Sequence, residues 1–184
     1  MILPEVHCLT LPGWQGSGPA HWQSHWEAQH GLTRVDQHDW MRPLRGDWLA
    51  RLEEVLLAQV QPCTLVAHSL GCMLVAAWAA HSRNTHKVRA ALLVAPADPL
   101  SKVLQGALHG WSDIPMQTLP FKSSVVASRN DPYCSFARAQ CFAQAWGSTL
   151  TDYGKAGHIN ADSGLGNWPQ GYDILIKLAQ EKEQ

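Results

Sequence analysis

Two hydrophobic patterns alternate along this chain. Short, almost continuous apolar runs such as 88–95 have the length of strands buried on both faces, whereas 47–60 repeats its leucines with helical spacing. Strands that alternate with helices favour a mostly parallel sheet with helices on both of its faces. We predict strands at 6–11, 32–35, 63–67, 88–95, 123–127 and 149–153. We predict helices at 20–30, 47–60, 70–81, 136–146 and 172–182.

Local signals support several of these elements. Asp47 can cap the start of the second helix, and Pro19 suits the first turn of the first one. The region 96–121 is rich in proline and glycine, which indicates loops and short helical turns. The chain has no repeat, low-complexity tract or linker, so we expect residues 1–184 to form a single domain.

Composition narrows the class of protein. Apolar residues make up 46% of the 184 residues and charged residues 16%, which excludes a disordered chain. The net charge of −1 gives no reason to expect nucleic acid or an anionic membrane surface as partner. Five cysteines without a C-x-x-C pair indicate reduced thiols and a cytoplasmic protein. Residues 1–5 lack the features of a signal peptide, and no apolar run approaches the roughly 20 residues that span a bilayer.

Ser69 is a candidate nucleophile because it lies between the predicted strand 63–67 and the predicted helix 70–81. A serine on a sharp strand-to-helix turn exposes its oxygen beside backbone N–H groups. Crowding at such a turn requires small residues two positions before and after the serine, and these are Ala67 and Gly71. Ala67 departs from the usual G-x-S-x-G pattern. The alternative interpretation is a serine that only caps the helix.

An acid and a histidine follow Ser69 in the chain. Asp131 comes after the strand 123–127, and Pro132 restricts its backbone to extended conformations. The alternative is an ordinary Asn-Asp-Pro turn. His158 follows the last predicted strand, in a loop where an imidazole can reach the serine. Serine, acid and histidine in this order are the layout of an α/β-hydrolase active site, with the histidine as base and the acid orienting it.

A glycine-rich loop, 11–18, follows the first predicted strand. Its glycines allow backbone N–H groups to approach a ligand closely, which makes Gly13 a candidate for substrate contact. We expect the N–H groups of Trp14 and Leu70 to bind the oxyanion that forms when a serine attacks a carbonyl.

Two histidines near the start of the first helix, His21 and His25, have the i, i+4 spacing of a metal-binding pair. No glutamate completes an H-E-x-x-H motif and no third ligand is evident, so we predict no metal and no organic cofactor. His68 is interpreted as a packing or capping residue. It is adjacent to Ser69 and is not expected to be the base, because neighbouring side chains on a turn point apart.

Several motifs together resemble one known family. They are Pro12-Gly13-Trp14 with His21-Trp22, Ala67-His68-Ser69-Leu70-Gly71-Cys72, Ser128-Arg129-Asn130-Asp131-Pro132-Tyr133, and Gly157-His158-Ile159-Asn160 with Ser163-Gly164-Leu165-Gly166 and Trp168-Pro169. This set is similar to the small serine hydrolases of the family named after a retinoblastoma-binding protein. The resemblance covers nearly the whole chain and implies a minimal α/β-hydrolase without a large cap, with Ser69, Asp131 and His158 as its triad.

The resulting fold prediction is a three-layer α/β sandwich with six parallel strands in the order 2-1-3-4-5-6. We expect the active site at the carboxyl ends of the strands. The pocket is expected to be shallow, bordered by Trp14, Trp111 or Trp168, and the region 96–121 is the one segment that can fold over it. A buried structural role is the alternative for Trp111.

The predicted function is a serine hydrolase that forms an acyl-enzyme with a small-molecule acyl substrate. Small esters are favoured, and amides or short peptides stay open as alternatives. The rival interpretation, from another class, is a non-catalytic binding protein that keeps a hydrolase scaffold. The oligomeric state stays open, because nothing in the pattern demands an interface.

Overall fold

The sheet of this protein has six parallel strands. The computed structural model describes residues 7–180, and the strand order is β2-β1-β3-β4-β5-β6, which confirms the predicted order. The strands are β1 (Cys8–Leu11), β2 (Thr33–Arg34), β3 (Cys63–His68), β4 (Val88–Val94), β5 (Lys122–Ala127) and β6 (Thr149–Asp152). All neighbouring pairs are parallel, so every strand presents its carboxyl end to the same edge of the sheet.

Helices cover both faces of this sheet. They are α1 (Trp22–His30), α2 (Arg45–Leu57), α3 (Leu70–His81), α4 (Phe136–Trp146) and α5 (Pro169–Gln180). Alternate residues of the central strands point to opposite faces, so that Leu65 and Leu93 pack in one core with α2, α3 and α4. Val66 and Leu92 pack in a second core with α1 and α5. The architecture is therefore the predicted three-layer sandwich.

The predicted boundaries of three helices differ from the structure. Helix α1 begins at Trp22 instead of at 20, and Pro19 precedes the cap residue His21, so the predicted place of Pro19 in the first turn is wrong. Helix α2 begins at Arg45, two residues before Asp47, and Leu44 precedes it without a side-chain cap, so the predicted capping role of Asp47 is wrong. Asp47 lies in the first helical turn, where a carboxylate interacts favourably with the helix dipole. Helix α5 begins at Pro169, a residue type suited to the first turn, instead of at 172. The predicted residues 6 and 181–182 lie outside the described part of the chain.

The region 96–121 contains turns but no regular helix or strand, as predicted. It is nevertheless packed, because Leu104, Leu108 and Trp111 are buried against the core that contains α2 and α3. The Trp111 indole donates a hydrogen bond to the Pro43 carbonyl at 2.7 Å. The segment forms one wall of the site described below. Within residues 7–180, no helix is long and apolar enough to cross a membrane.

Candidate active site

Ser69 occupies a strained turn between β3 and α3. Its backbone has φ 57° and ψ −120°, a conformation that residues other than glycine rarely adopt. Two backbone bonds fix the turn: the Ser69 N–H donates to Val94 at 3.0 Å, and the Ser69 carbonyl accepts from Cys72 at 3.0 Å. The Ser69 side chain does not cap α3, so the alternative interpretation as a helix cap is wrong. The hydroxyl is free to act elsewhere.

The turn is crowded, as expected for a nucleophile elbow. A Cβ atom on Gly71 would lie 2.2 Å from the carbonyl oxygen of Leu11, so only glycine fits there. A Cβ atom on Gly13 would lie 2.7 Å from the Cβ of Ser69. Ala67 pairs with Leu11 in the sheet and is completely buried. The loop after β1 therefore passes directly over Ser69.

Ser69, His158 and Asp131 form an unbroken chain of hydrogen bonds. The Ser69 Oγ lies 2.9 Å from His158 Nε2, and His158 Nδ1 lies 2.8 Å from Asp131 Oδ2. Because a carboxylate only accepts, Nδ1 carries the proton, which leaves Nε2 to accept from the serine hydroxyl. The other carboxylate oxygen of Asp131 accepts from the Tyr133 N–H at 2.9 Å, and this fixes the acid just after β5.

Polar contacts with distant segments hold the loop that carries His158. The Gly157 N–H donates to Asn130 Oδ1 at 2.9 Å, and the Ala156 N–H donates to Ser128 Oγ at 2.9 Å. His68 Nε2 lies 2.9 Å from the His158 carbonyl oxygen, and since a carbonyl only accepts, this nitrogen of His68 is the donor. The loop is therefore tied both to the end of β5 and to the residue next to Ser69.

The predicted oxyanion donors lie beside Ser69. The N–H of Leu70 belongs to the first residue of α3, and a Cβ atom on Gly13 would be 3.1 Å from this nitrogen. Within residues 7–180, no hydrogen-bond acceptor is paired with the backbone N–H of Trp14 or of Leu70. The Trp14 indole donates to the Met41 carbonyl at 3.0 Å, which anchors the loop. Two unpaired amides next to a nucleophile suit a developing negative charge.

A cavity of about 230 Å³ opens above Ser69 and His158. One part of its wall is apolar and comes from the β4 and β5 side of the molecule. The other part is polar and comes from the loop after β1, from the end of β3 and from the loop after His158. The lining residues include Leu104, Leu108, Gln15, His21, His68 and Asn160.

The predicted substrate contacts of Trp111 and Trp168 are wrong. Trp168 is fully buried in the core with α1 and α5, stacks on Trp26 at 5.7 Å between ring centroids and donates to the Tyr153 hydroxyl at 2.7 Å. Trp111 is 2% exposed and does not reach the cavity. Gly13, the third predicted substrate contact, lies against Ser69 and is not among the residues that line the cavity. Of the predicted bordering tryptophans, Trp14 alone lines the cavity.

Sequence reasoning missed two histidines of the cavity wall, His21 and His68. Burial lowers the pKa of His68 well below its usual value, and neighbouring His21 and His158 lower it further. Burial, with a smaller contribution from His158, lowers the pKa of His21 to about 3. Both imidazoles are therefore neutral near pH 7. Two signals in the sequence involve His21, the His-Trp pair within the family motif and the i, i+4 spacing to His25, and neither predicts a place in the cavity wall.

His21 and His25, the candidate metal pair, each make a hydrogen bond through one ring nitrogen. The Nδ1 of His21 accepts the Gln23 N–H at 3.1 Å as the cap of α1, and His25 Nδ1 pairs with Asn167 Oδ1 at 2.9 Å. One ring nitrogen of each histidine is therefore engaged, and the two nitrogens have different partners.

Known proteins resemble this chain along most of its length. A family model described as serine hydrolase matches residues 8–177. YdeN of Bacillus subtilis, provisionally named a hydrolase, is 27% identical over 175 residues that cover 90% of this chain and 92% of YdeN.

Solved structures also resemble this chain over most of its length. A YdeN-like protein from Pectobacterium atrosepticum, also provisionally named a hydrolase, is 32% identical, with a TM-score of 0.83 over 95% of this chain and 91% of that one. Est1E from Butyrivibrio proteoclasticus, solved with ferulic acid bound, has a TM-score of 0.68 at 13% identity over 97% and 92% of the two chains. At that identity the likeness to Est1E concerns the fold alone.

Proposed function

Because the chain belongs to the serine hydrolase family, we propose that it hydrolyses small carboxylic esters through an acyl-enzyme formed on Ser69. One observation carries the proposal: the hydrogen-bond chain from Ser69 through His158 to Asp131, at 2.9 and 2.8 Å, lies at the floor of an open cavity. A weakly nucleophilic hydroxyl needs such an adjacent base. The narrower resemblance to the family named after a retinoblastoma-binding protein stays a prediction.

In the proposed mechanism, the Ser69 oxygen attacks the ester carbonyl while His158 Nε2 takes the hydroxyl proton. Asp131 stabilises the imidazolium that forms. The carbonyl oxygen becomes negative and accepts from the N–H groups of Trp14 and Leu70. His158 then protonates the leaving alcohol, and a water molecule, activated by the same imidazole, hydrolyses the acyl-enzyme. No step requires a metal or an organic cofactor.

The size and chemistry of the cavity support a small acyl group. About 230 Å³ is below the range of about 300–1,000 Å³ typical of pockets for drug-sized ligands. Leu104 and Leu108, both nearly buried, give one wall an apolar surface on which a short alkyl chain can pack. Amides and short peptides are the alternative substrates, since they share the same attack on a carbonyl.

A wide gap between the serine and the histidine, together with a blocked cavity, would favour the rival interpretation of a non-catalytic binding protein. The 2.9 Å separation of Ser69 Oγ and His158 Nε2 and the cavity above them favour catalysis instead.

All five cysteines are free thiols, which supports action in a reducing compartment such as the cytoplasm. We infer that residues 1–184 act as one domain.

A chain-length series tests the proposal. Purified protein is assayed with p-nitrophenyl acetate, butyrate and octanoate and with the matching p-nitroanilides, beside Ser69→Ala. We expect the highest kcat/KM for acetate or butyrate and loss of turnover in Ser69→Ala. Equal turnover by the parent protein and Ser69→Ala would contradict the proposal.

A further inference from the structure

His21 carries a buried polar atom without a partner. The residue is 4% exposed and lines the active-site cavity, and within the described residues its Nε2 has no hydrogen-bond partner. Buried polar groups in folded proteins are almost always paired, because an unpaired donor loses its hydration without compensation. The neighbouring rings of Trp22 and His68, at 5.1 and 4.7 Å between centroids, make no hydrogen bond to it.

The contacts of the ring fix which nitrogen carries the proton. His21 precedes α1, and its Nδ1 accepts the backbone N–H of Gln23 at 3.1 Å. The Gln23 side chain is itself held, since it donates to the Val66 carbonyl at 2.9 Å and accepts from Ser17 at 2.7 Å. An accepting Nδ1 places the proton of a neutral imidazole on Nε2. His21 therefore presents a fixed N–H donor that stays uncharged near pH 7.

The surroundings of His21 indicate what it binds. The cavity that His21 lines combines polar residues, among them Gln15 and Asn160, with the apolar Leu104 and Leu108. The two parts also belong to different cores, because Leu104 and Leu108 pack with α2 and α3 and the Trp22 ring beside His21 packs with α1 and α5. A substrate bound in this cavity therefore lies among apolar side chains and the ring of His21.

We propose that His21 is a specificity-determining residue, which donates a hydrogen bond from Nε2 to an acceptor oxygen of the substrate outside the scissile ester. The class of substrate selected is a small ester with an ether, hydroxyl or keto oxygen near the reacting carbonyl. This inference rests on the proposed function of Ser69. A site built around a polar donor rejects an analogue that lacks the acceptor, because the donor is then left unpaired.

Substrate pairs that differ only by an oxygen test this inference. On the acyl side the pair is p-nitrophenyl methoxyacetate and p-nitrophenyl butyrate, and on the alcohol side 2-methoxyethyl acetate and butyl acetate. In each pair one CH₂ is replaced by an ether oxygen. The quantity measured is the ratio of the two kcat/KM values, and comparing this ratio between parent and variant cancels the intrinsic reactivity of the esters.

Two variants remove the donor in different ways. His21→Ser keeps a residue that caps α1 well, and His21→Phe keeps the ring volume without either nitrogen. We expect both to lower the ether-to-alkyl ratio by about three- to tenfold in one of the two pairs, as the loss of one neutral hydrogen bond predicts. His25→Asn, on the same helix but outside the cavity, is the matched control and should leave the ratio unchanged.

Further readouts separate the outcomes. If neither variant folds, the parent protein labelled with ¹⁵N is used: the His21 Nε2–H signal should shift when Ser69 carries a methoxyalkyl phosphonate and not when it carries the alkyl analogue. Ratios that stay unchanged in both pairs, or an unmoved Nε2–H signal, would overturn this inference alone. A folded parent protein that neither hydrolyses any ester nor reacts with a phosphonate would overturn the proposed function and this inference with it.

Discussion

Replacing Gly71 by alanine should disable the site by displacing the start of α3. The added Cβ would lie 2.2 Å from the Leu11 carbonyl oxygen, whereas ordinary contact begins at 3.4 Å, so the two segments must separate by about 1.2 Å. The position of a Cβ atom is fixed by its own backbone, and the atom it meets is a backbone carbonyl oxygen, so no side chain can rotate away to relieve the contact. The segment that moves carries Ser69 and the Leu70 N–H, or else the Trp14 loop that faces them.

The size of the effect follows from this displacement. A misplacement of about 1 Å in an active site costs roughly 100-fold in rate, and overpacking of this kind destabilises a fold by about 1–3 kcal/mol. We therefore expect Gly71→Ala to react with a fluorophosphonate about 100-fold more slowly and to unfold at lower urea concentration.

The matched control is Gly46→Ala. Gly46 lies in α2, and a Cβ atom there would have no neighbour within 4 Å. This change should leave the labelling rate unchanged and raise the free energy of unfolding by about 0.5–1 kcal/mol. A folded Gly71→Ala protein that is labelled at the parent rate would refute the close-approach argument for the elbow.

Four other substitutions test separate parts of the account. Asp131→Asn should lower kcat by about 10⁴-fold with little loss of stability, because the acid then no longer sets the tautomer of the base; single-turnover kinetics measure this. Leu108→Ala should raise the ratio of kcat/KM for octanoate to that for butyrate by about tenfold, and an unchanged ratio would remove Leu108 from the acyl site. Trp168→Phe should lower the free energy of unfolding by about 1–3 kcal/mol, since the hydrogen bond to Tyr153 is lost, while KM stays within about twofold. His68 has a depressed pKa in the folded protein, so its contribution to stability is present above pH 6.5, the unfolded value, and is lost as the pH falls below it. In urea titrations at pH 6 and pH 5, the unfolding free energy of the parent protein should therefore fall with decreasing pH more steeply than that of His68→Gln, by about 1.4 kcal/mol per pH unit. An equal dependence on pH in the two proteins would contradict a neutral buried His68.

The fold was predictable because the apolar pattern is local. The run 88–95 is apolar enough for a strand buried on both faces, and β4 occupies Val88–Val94. The start of α5 was not predictable from the same pattern, because its first turn, 169–171, has no apolar periodicity. Glycine is required at position 171 of that turn because a Cβ atom there would lie 2.3 Å from the Trp168 ring. This contact is evident only once the chain has folded.

The candidate site also contains residues that local sequence patterns predict and residues whose roles depend on contacts formed on folding. Ser69, Asp131 and His158 could be proposed because each follows a recognisable strand, and the parallel sheet brings those strand ends to one edge. The roles of His21 and His68 depend on contacts between segments far apart in the chain. His68 meets the His158 carbonyl 90 residues away, and the His21 ring packs on the His68 ring. Spacing along the sequence carries no trace of these contacts.

Trp168 shows the opposite error. The sequence predicts that it borders the pocket, whereas its ring lies among Trp22, Trp26 and Tyr153 on the face of the sheet that α1 and α5 cover. A tryptophan serves a core and a pocket wall equally well, so residue type alone could not separate the two roles.

The central claim is that His158 activates Ser69 as a nucleophile. The most direct test is covalent labelling of the purified protein with a fluorophosphonate, beside Ser69→Ala and His158→Ala, with the modified residue located by mass spectrometry. The account predicts labelling of the parent protein on Ser69, none in Ser69→Ala and labelling at least about 100-fold slower in His158→Ala. A folded parent protein that is not labelled, or that is labelled equally well without His158, would contradict it.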